Sequence, residues 1–148
     1  MTLEEIIQND LKEAMKAKDA VALAAVRGIK SAILLAKTES GAKPLEDADI
    51  VKIIQKLVKQ RKESAQQYTD AGRQELADNE LAEAAKMDKY LPKQLSVEEV
   101  ETIVKTVLEE IGAKTKADMG KAMGTLSKRL AGQADGRTIS SLVQKYLQ

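Results

Sequence analysis

Apolar residues recur every three or four positions along most of the chain, the spacing that places them on one side of an α-helix. Capping boxes at Thr2 and Ser96 mark two helix starts, and glycines such as Gly41 and Gly112 mark helix ends. No alternation of apolar and polar residues is long enough to predict a strand. The pattern predicts an all-α protein with seven helices, over about 3–18, 20–40, 47–71, 73–89, 97–111, 115–131 and 136–147, and a loop over 41–47.

The segment Tyr90-Leu-Pro-Lys-Gln-Leu95 interrupts this pattern, because Pro92 cannot continue a helix. We place a domain boundary there. The prediction is an N-terminal helical domain of about four helices over 1–91 and a small C-terminal three-helix domain over 92–148. The second helix has apolar residues on two sides, which predicts a central position, and the third and fourth helices are expected to form an α-hairpin.

The composition narrows the chemistry. Hydrophobic residues make up 43% of the chain but aromatic residues only 2%, so the core must be aliphatic, which favours helices. The sequence has no Cys and no His, which excludes disulfides, thiol nucleophiles, zinc sites and Ser-His-Asp triads. The N-terminus lacks a signal-peptide pattern and no apolar run approaches the ~20 residues of a membrane span. We therefore expect a soluble cytosolic protein without a metal or cofactor.

Charge is unevenly distributed. Residues 1–90 carry 15 basic and 16 acidic side chains, whereas residues 113–148 carry seven basic and two acidic ones, a net charge of +5. The predicted sixth helix also contains Gly120 and Gly124, each costing about 1 kcal/mol relative to alanine. Two interpretations remain open: tight packing of another helix, or close approach of a sugar-phosphate backbone between Lys121 and Lys128. A helix N-terminus near 134–137 is a further candidate anion site.

On this basis we select candidate RNA-binding residues in the C-terminal domain. Each is either a Lys or Arg residue or a glycine within the basic segment 113–148. They are Lys116, Gly120, Lys121, Gly124, Lys128, Arg129, Arg137 and Lys145.

Five sequence strings resemble the GatB/YqeY family, and the resemblance extends over essentially the whole chain. They are Lys59–Ser64, Tyr68–Arg73, Tyr90–Val100, Lys116–Gly124 and Ala134–Val143. The likeness is to stand-alone YqeY proteins, and it implies a two-part all-helical fold. The C-terminal part resembles the tail domain of the B subunit of glutamine-dependent tRNA amidotransferase, which helps hold tRNA. The resemblance therefore implies tRNA as a partner, although this chain is too short for a counterpart of the catalytic core.

No catalytic arrangement is recognisable. There is no Walker loop or dinucleotide fingerprint, and adjacent carboxylates such as Glu98 and Glu99 point to different helix faces. Two interpretations are open for Arg61, Glu63, Tyr68 and Arg73: they line a cleft between the third and fourth helices, or, as we expect, they form an exposed charge lattice. The leading hypothesis is a non-catalytic cytosolic adaptor that binds RNA. One alternative is a protein–protein interaction module that docks through Leu23 and Leu34 or through the small-residue stripe of the sixth helix, which consists of Gly120, Gly124, Ser127 and Ala131. The other is an accessory to glutamine-dependent tRNA amidation that acts only with other subunits.

Overall fold

The structure is a computed structural model that describes residues 1–41 and 43–148, and within them it is all-α, as predicted. Contacts divide the chain into two compact units, Met1–Leu91 and Pro92–Gln148. The first contains α1 (Leu3–Ala17), α2 (Ala20–Ser40), α3 (Asp47–Asp70) and α4 (Gln74–Asp88). The second contains α5 (Val97–Ile111), α6 (Met119–Arg129) and α7 (Gly136–Tyr146), with a 3₁₀ turn at Lys116–Asp118.

Local capping explains why most predicted helix ends agree with the structure. The side chain of Ser96 accepts a hydrogen bond from the Glu99 N–H, and the Glu99 carboxylate accepts one from the Ser96 N–H. Gly112 ends α5 in the left-handed conformation, with φ of 66°. The predicted loop over 41–47 includes residue 42, which lies outside the described residues.

The predicted sixth helix differs from the observed one at both ends. Its first turn is the 3₁₀ segment, and α6 stops at Arg129, with Leu130 as its C-cap and Gly132 at φ of 76°. The sequence pattern missed this early end because Leu130 continues the apolar stripe but faces the core from a turn.

In the Met1–Leu91 unit, α2 contacts α1, α3 and α4, and α3 and α4 form the predicted hairpin. We expected neighbouring helices on both apolar sides of α2. Leu34, on the second side, is 67% exposed, so that side is not covered at this position. The core is aliphatic, and its buried residues are Ile7, Ala25, Val26, Ile29, Ile33, Ile50, Ile54, Val58, Ala84 and Met87.

The Pro92–Gln148 unit surrounds a separate core contributed by all three of its helices. Its buried residues are Val100, Val104, Val107, Leu108, Ala122, Leu126, Leu130, Ile139, Leu142, Val143 and Leu147. Helix α6 turns Ala122 and Leu126 toward this core, so its other side faces solvent. Among the described residues, no helix is both long and apolar enough to cross a membrane.

Candidate nucleic-acid interface

The small-residue stripe of α6 lies on the surface of its unit. Gly120, Gly124, Ser127 and Ala131 are all exposed. A Cβ added to Gly120 or Gly124 would meet no atom of the described chain within 4 Å. Packing of another helix within this chain therefore does not explain the two glycines, and that interpretation is wrong for the described residues. The backbone of α6 is instead open to solvent at these positions.

An open groove of about 590 Å³ runs along this exposed side of α6. We call it the α6 groove, and its lining residues are Gly120, Lys121, Gly124, Thr125, Lys128 and Arg129. The Thr125 hydroxyl donates a hydrogen bond to the Lys121 carbonyl at 3.0 Å, so it is satisfied within the helix. Three cations thus border a helix surface that carries few side-chain atoms.

The three groove cations differ in their surroundings. Arg129 Nη1 lies 3.4 Å from Glu110 Oε2 on α5, and both side chains are about half exposed. Lys121 interacts electrostatically with Asp118, and neither Lys121 nor Lys128 forms an ion pair with the described residues. The Asp118 carboxylate accepts hydrogen bonds from the Lys114 and Thr115 N–H groups at 2.9 and 3.2 Å, which hold its pKa below its usual range. The groove therefore keeps a positive excess.

The remaining candidates do not line the groove. Lys116 belongs to the 3₁₀ turn, where its N–H donates to the Gln148 carbonyl at 3.3 Å. Arg137 is exposed in the first turn of α7. Lys145 lies in the last turn of α7, and its Nζ donates to Glu101 Oε1 at 3.0 Å. The structure thus brings together five of the eight candidates and places these three elsewhere on the unit.

The N-terminus of α7 already holds an anionic group from the chain. The Asp135 carboxylate accepts a hydrogen bond from the Thr138 N–H at 2.7 Å. This cap satisfies one of the N–H groups that have no partner within the helix, and it places a negative charge at the helix end, which disfavours an external anion there. We therefore do not include this helix end in the candidate interface.

A second cleft of the same unit lies between α5 and α7 and contains Tyr146. The Tyr146 hydroxyl donates to Glu101, and the Lys105 and Lys145 Nζ atoms lie 5.2 and 5.4 Å from the ring centroid. The hydrogen bond from Tyr146, reinforced by Lys145, lowers the pKa of Glu101, and the Glu101 carboxylate raises the pKa of Lys145. This aromatic ring is thus engaged by its own unit on a side that does not line the α6 groove.

The sequence argument also missed an ion pair in the Met1–Leu91 unit. Arg61 Nη2 lies 3.6 Å from Glu83 Oε1, with the two side chains only 19% and 13% exposed. The prediction that Arg61 belongs to an exposed charge lattice is therefore wrong. Arg61 instead joins α3 to α4 through this ion pair. The sequence feature that could have indicated this buried pair is Gly28, a glycine in the middle of α2, because its missing side chain leaves room for the Arg61 guanidinium. Among the described residues, no group of three or more acidic side chains is placed to hold a metal ion.

Comparison with known proteins identifies relatives whose similarity extends over most of this chain. A protein of Pyrenophora tritici-repentis is 30% identical over 145 residues, covering 95% of this chain and 78% of the relative. A Kluyveromyces lactis protein is 32% identical over 108 residues, covering 71% of this chain and 58% of the relative. A Saccharomyces cerevisiae protein is 29% identical over 137 residues, covering 90% and 71%. All three are named altered inheritance of mitochondria protein 41, mitochondrial.

These names contradict the predicted cytosolic location, because each describes a mitochondrial protein. The prediction used the first residues of the chain and its lack of cysteine. Neither observation identifies a compartment, since targeting segments are removed from mature proteins and cysteine usage reflects only redox conditions.

The family assignment itself agrees with the expectation from the sequence. A family model described as Yqey-like protein matches residues 4–147, which include the α6 groove and the seven described α-helices except Leu3, the first residue of α1. The chain belongs to the YqeY-like family.

Proposed function

We propose that this protein is a non-catalytic RNA-binding adaptor, and that the α6 groove binds structured RNA. The observation that carries the proposal is the exposed α6 backbone between Lys121 and Lys128, neither of which forms an ion pair in the described chain. Cations without an intramolecular partner can neutralise phosphates without first breaking an ion pair. The open backbone allows a phosphate chain to approach without steric conflict.

The first RNA to test is tRNA, because the sequence of the Pro92–Gln148 unit resembles the tail domain of the tRNA amidotransferase B subunit. Binding should be measured by fluorescence anisotropy with labelled tRNA at low salt. The test variant carries Lys121→Gln and Lys128→Gln together. The matched control carries Lys105→Gln and Lys114→Gln, which remove the same charge from the cleft that contains Tyr146.

We expect the groove variant to bind tRNA roughly tenfold more weakly than the wild type, and the control to change affinity much less. Circular dichroism verifies that each variant remains helical. A folded wild-type protein that does not bind tRNA at low salt would refute the proposal. Glutaminase or amidation activity of the isolated chain would refute its non-catalytic part.

A protein–protein interaction module is the second candidate, favoured by a different surface. Leu34 and Leu35 on α2 are 67% and 60% exposed, and Leu34 borders a cleft between α1 and α2. A contiguous exposed apolar patch marks a protein–protein interaction site, so this candidate requires Leu34 and Leu35 to contact one partner together. Replacing both by Ser should abolish co-purification of a stoichiometric protein partner if this candidate is correct, and should leave tRNA binding unchanged.

A further inference from the structure

The form of RNA that fits the α6 groove follows from the side chains it offers. We propose that the groove binds the sugar-phosphate backbone of double-helical RNA, without reading bases and without selecting unpaired strands. This inference rests on the proposed RNA-binding function and specifies its ligand class.

Charged groups of the groove are suited to phosphates. Lys121 and Lys128 are seven residues apart on one helix, so their Cα atoms are separated by about 10 Å along the axis. Arg129 adds a third positive charge beside Lys128. Ammonium and guanidinium groups that contact phosphates position a protein on the nucleic-acid backbone. Such phosphate contacts do not distinguish one base sequence from another.

Single-stranded RNA requires a group that the groove does not supply. Proteins that bind unpaired strands stack the bases on aromatic rings as well as neutralising phosphates. The chain has three tyrosines and no Phe, Trp or His, and none of the three tyrosines lines the groove. Tyr146, which belongs to the same unit as the groove, donates its hydroxyl hydrogen bond to Glu101 and lies in the other cleft. The lining of the α6 groove therefore supplies no aromatic ring for stacking.

Base-paired RNA does not need stacking, because its bases are already stacked within the helix. An A-form duplex presents a wide, shallow minor groove bordered by phosphates, which proteins recognise mostly by shape. A smooth ridge bordered by cations complements that surface. Lys121 and Lys128 can neutralise about two phosphates, and Arg129 a third once it leaves Glu110, so the groove should contribute roughly −2 to −3 to the slope of log affinity against log salt.

The test compares a labelled RNA duplex of about 16 base pairs with each of its separated strands, at equal salt. A second duplex of scrambled sequence reports base recognition. We expect the first duplex to bind at least roughly tenfold tighter than either strand, and the scrambled duplex to bind equally well. Lys128→Gln should weaken duplex binding and reduce the salt slope by about one, whereas Lys105→Gln should not.

Equal or tighter binding of a single strand would overturn this inference and leave the RNA-binding function standing. Loss of affinity on scrambling would likewise overturn it, because it would show that bases are read. If neither duplex nor strand binds the folded protein, the inference is wrong, and the tRNA titration at low salt then decides whether the proposed RNA-binding function stands.

Discussion

The guanidinium of Arg61 lies against helix α2 at Gly28, where an added Cβ would be only 2.9 Å from Arg61 Nη2. The same Nη2 atom is 3.6 Å from Glu83 Oε1 on α4, and Arg61 Nε is buried without a hydrogen-bond partner in the described chain. Three helices therefore meet around one largely buried charge. Burial makes such a charge dependent on its partner, because losing the partner leaves it uncompensated.

Gly28→Ala should destabilise the protein, although alanine is favoured over glycine in a helix by about 1 kcal/mol. The added methyl group would displace the Arg61 guanidinium, which is only 19% exposed, and would disturb its ion pair with Glu83 at 3.6 Å, so the expected loss comes from that pair. The free energy of unfolding, measured by urea denaturation, should therefore decrease. In a background carrying Arg61→Met and Glu83→Met, the same Gly28→Ala change should stabilise. A stabilising effect in both backgrounds would contradict the contact.

Gly124→Ala should have the opposite effect on stability, because no atom of the described chain lies within 4 Å of its Cβ position. We expect the free energy of unfolding to rise by up to about 1 kcal/mol. RNA affinity should fall, since the methyl group would lie on the open backbone of the α6 groove.

The control for Gly124→Ala is Thr106→Ala, which increases helix propensity at an exposed position of α5 outside the groove. It should leave RNA binding unchanged. If Gly124→Ala stabilises the protein and binds RNA as well as the wild type, the bare backbone has no part in binding.

The helices could be predicted from sequence because their signals are local. The capping boxes at Thr2 and Ser96 each involve residues three positions apart, and the structure forms both. The end of α6 could not be predicted, because burial of Leu130 in a turn depends on the fold of the whole unit.

The groove was partly predictable, for a related reason. Helical periodicity places Gly120, Gly124, Lys121 and Lys128 near one another whatever the tertiary fold. Counting charge along the chain does not show which side of the unit a residue faces, so Lys145 was grouped with them although it pairs with Glu101 on α5. The sequence also gave no sign that the Tyr90 hydroxyl would meet Asp10 from 80 residues away.

Removal of the Tyr90 hydroxyl should destabilise the protein in a pH-dependent way. Tyr90 donates a hydrogen bond to Asp10, and Lys89 Nζ lies 3.0 Å from Asp10 Oδ2. Burial opposes ionisation of Asp10, but the hydrogen bonds from Tyr90 and Lys89 prevail and lower its pKa below the ordinary 3.8. Because the pKa is lower in the folded state, this stabilisation is complete above about pH 4 and is lost as the pH falls through the folded-state pKa.

We therefore expect Tyr90→Phe to lower the free energy of unfolding by about 1–2 kcal/mol at neutral pH, and by less at about pH 3. Urea denaturation at the two pH values measures the difference. Tyr68→Phe is the control, because the Tyr68 hydroxyl has no hydrogen-bond partner in the described chain. A Tyr90→Phe effect that is equally large at both pH values would contradict the role of ionised Asp10.

Glu110→Gln should strengthen RNA binding, because the Glu110 carboxylate 3.4 Å from Arg129 competes with phosphates for that guanidinium. Exposed ion pairs contribute about 0.2–1 kcal/mol, so the expected gain in affinity is roughly 1.4- to fivefold. Glu109→Gln is the matched control: it removes the same charge from the neighbouring residue, which lines the cleft containing Tyr146. General weakening of electrostatic repulsion affects both variants, whereas release of Arg129 affects only Glu110→Gln. Equal gains for the two variants, measured by anisotropy at one salt concentration, would show that net charge is responsible and that Arg129 makes no separate contribution.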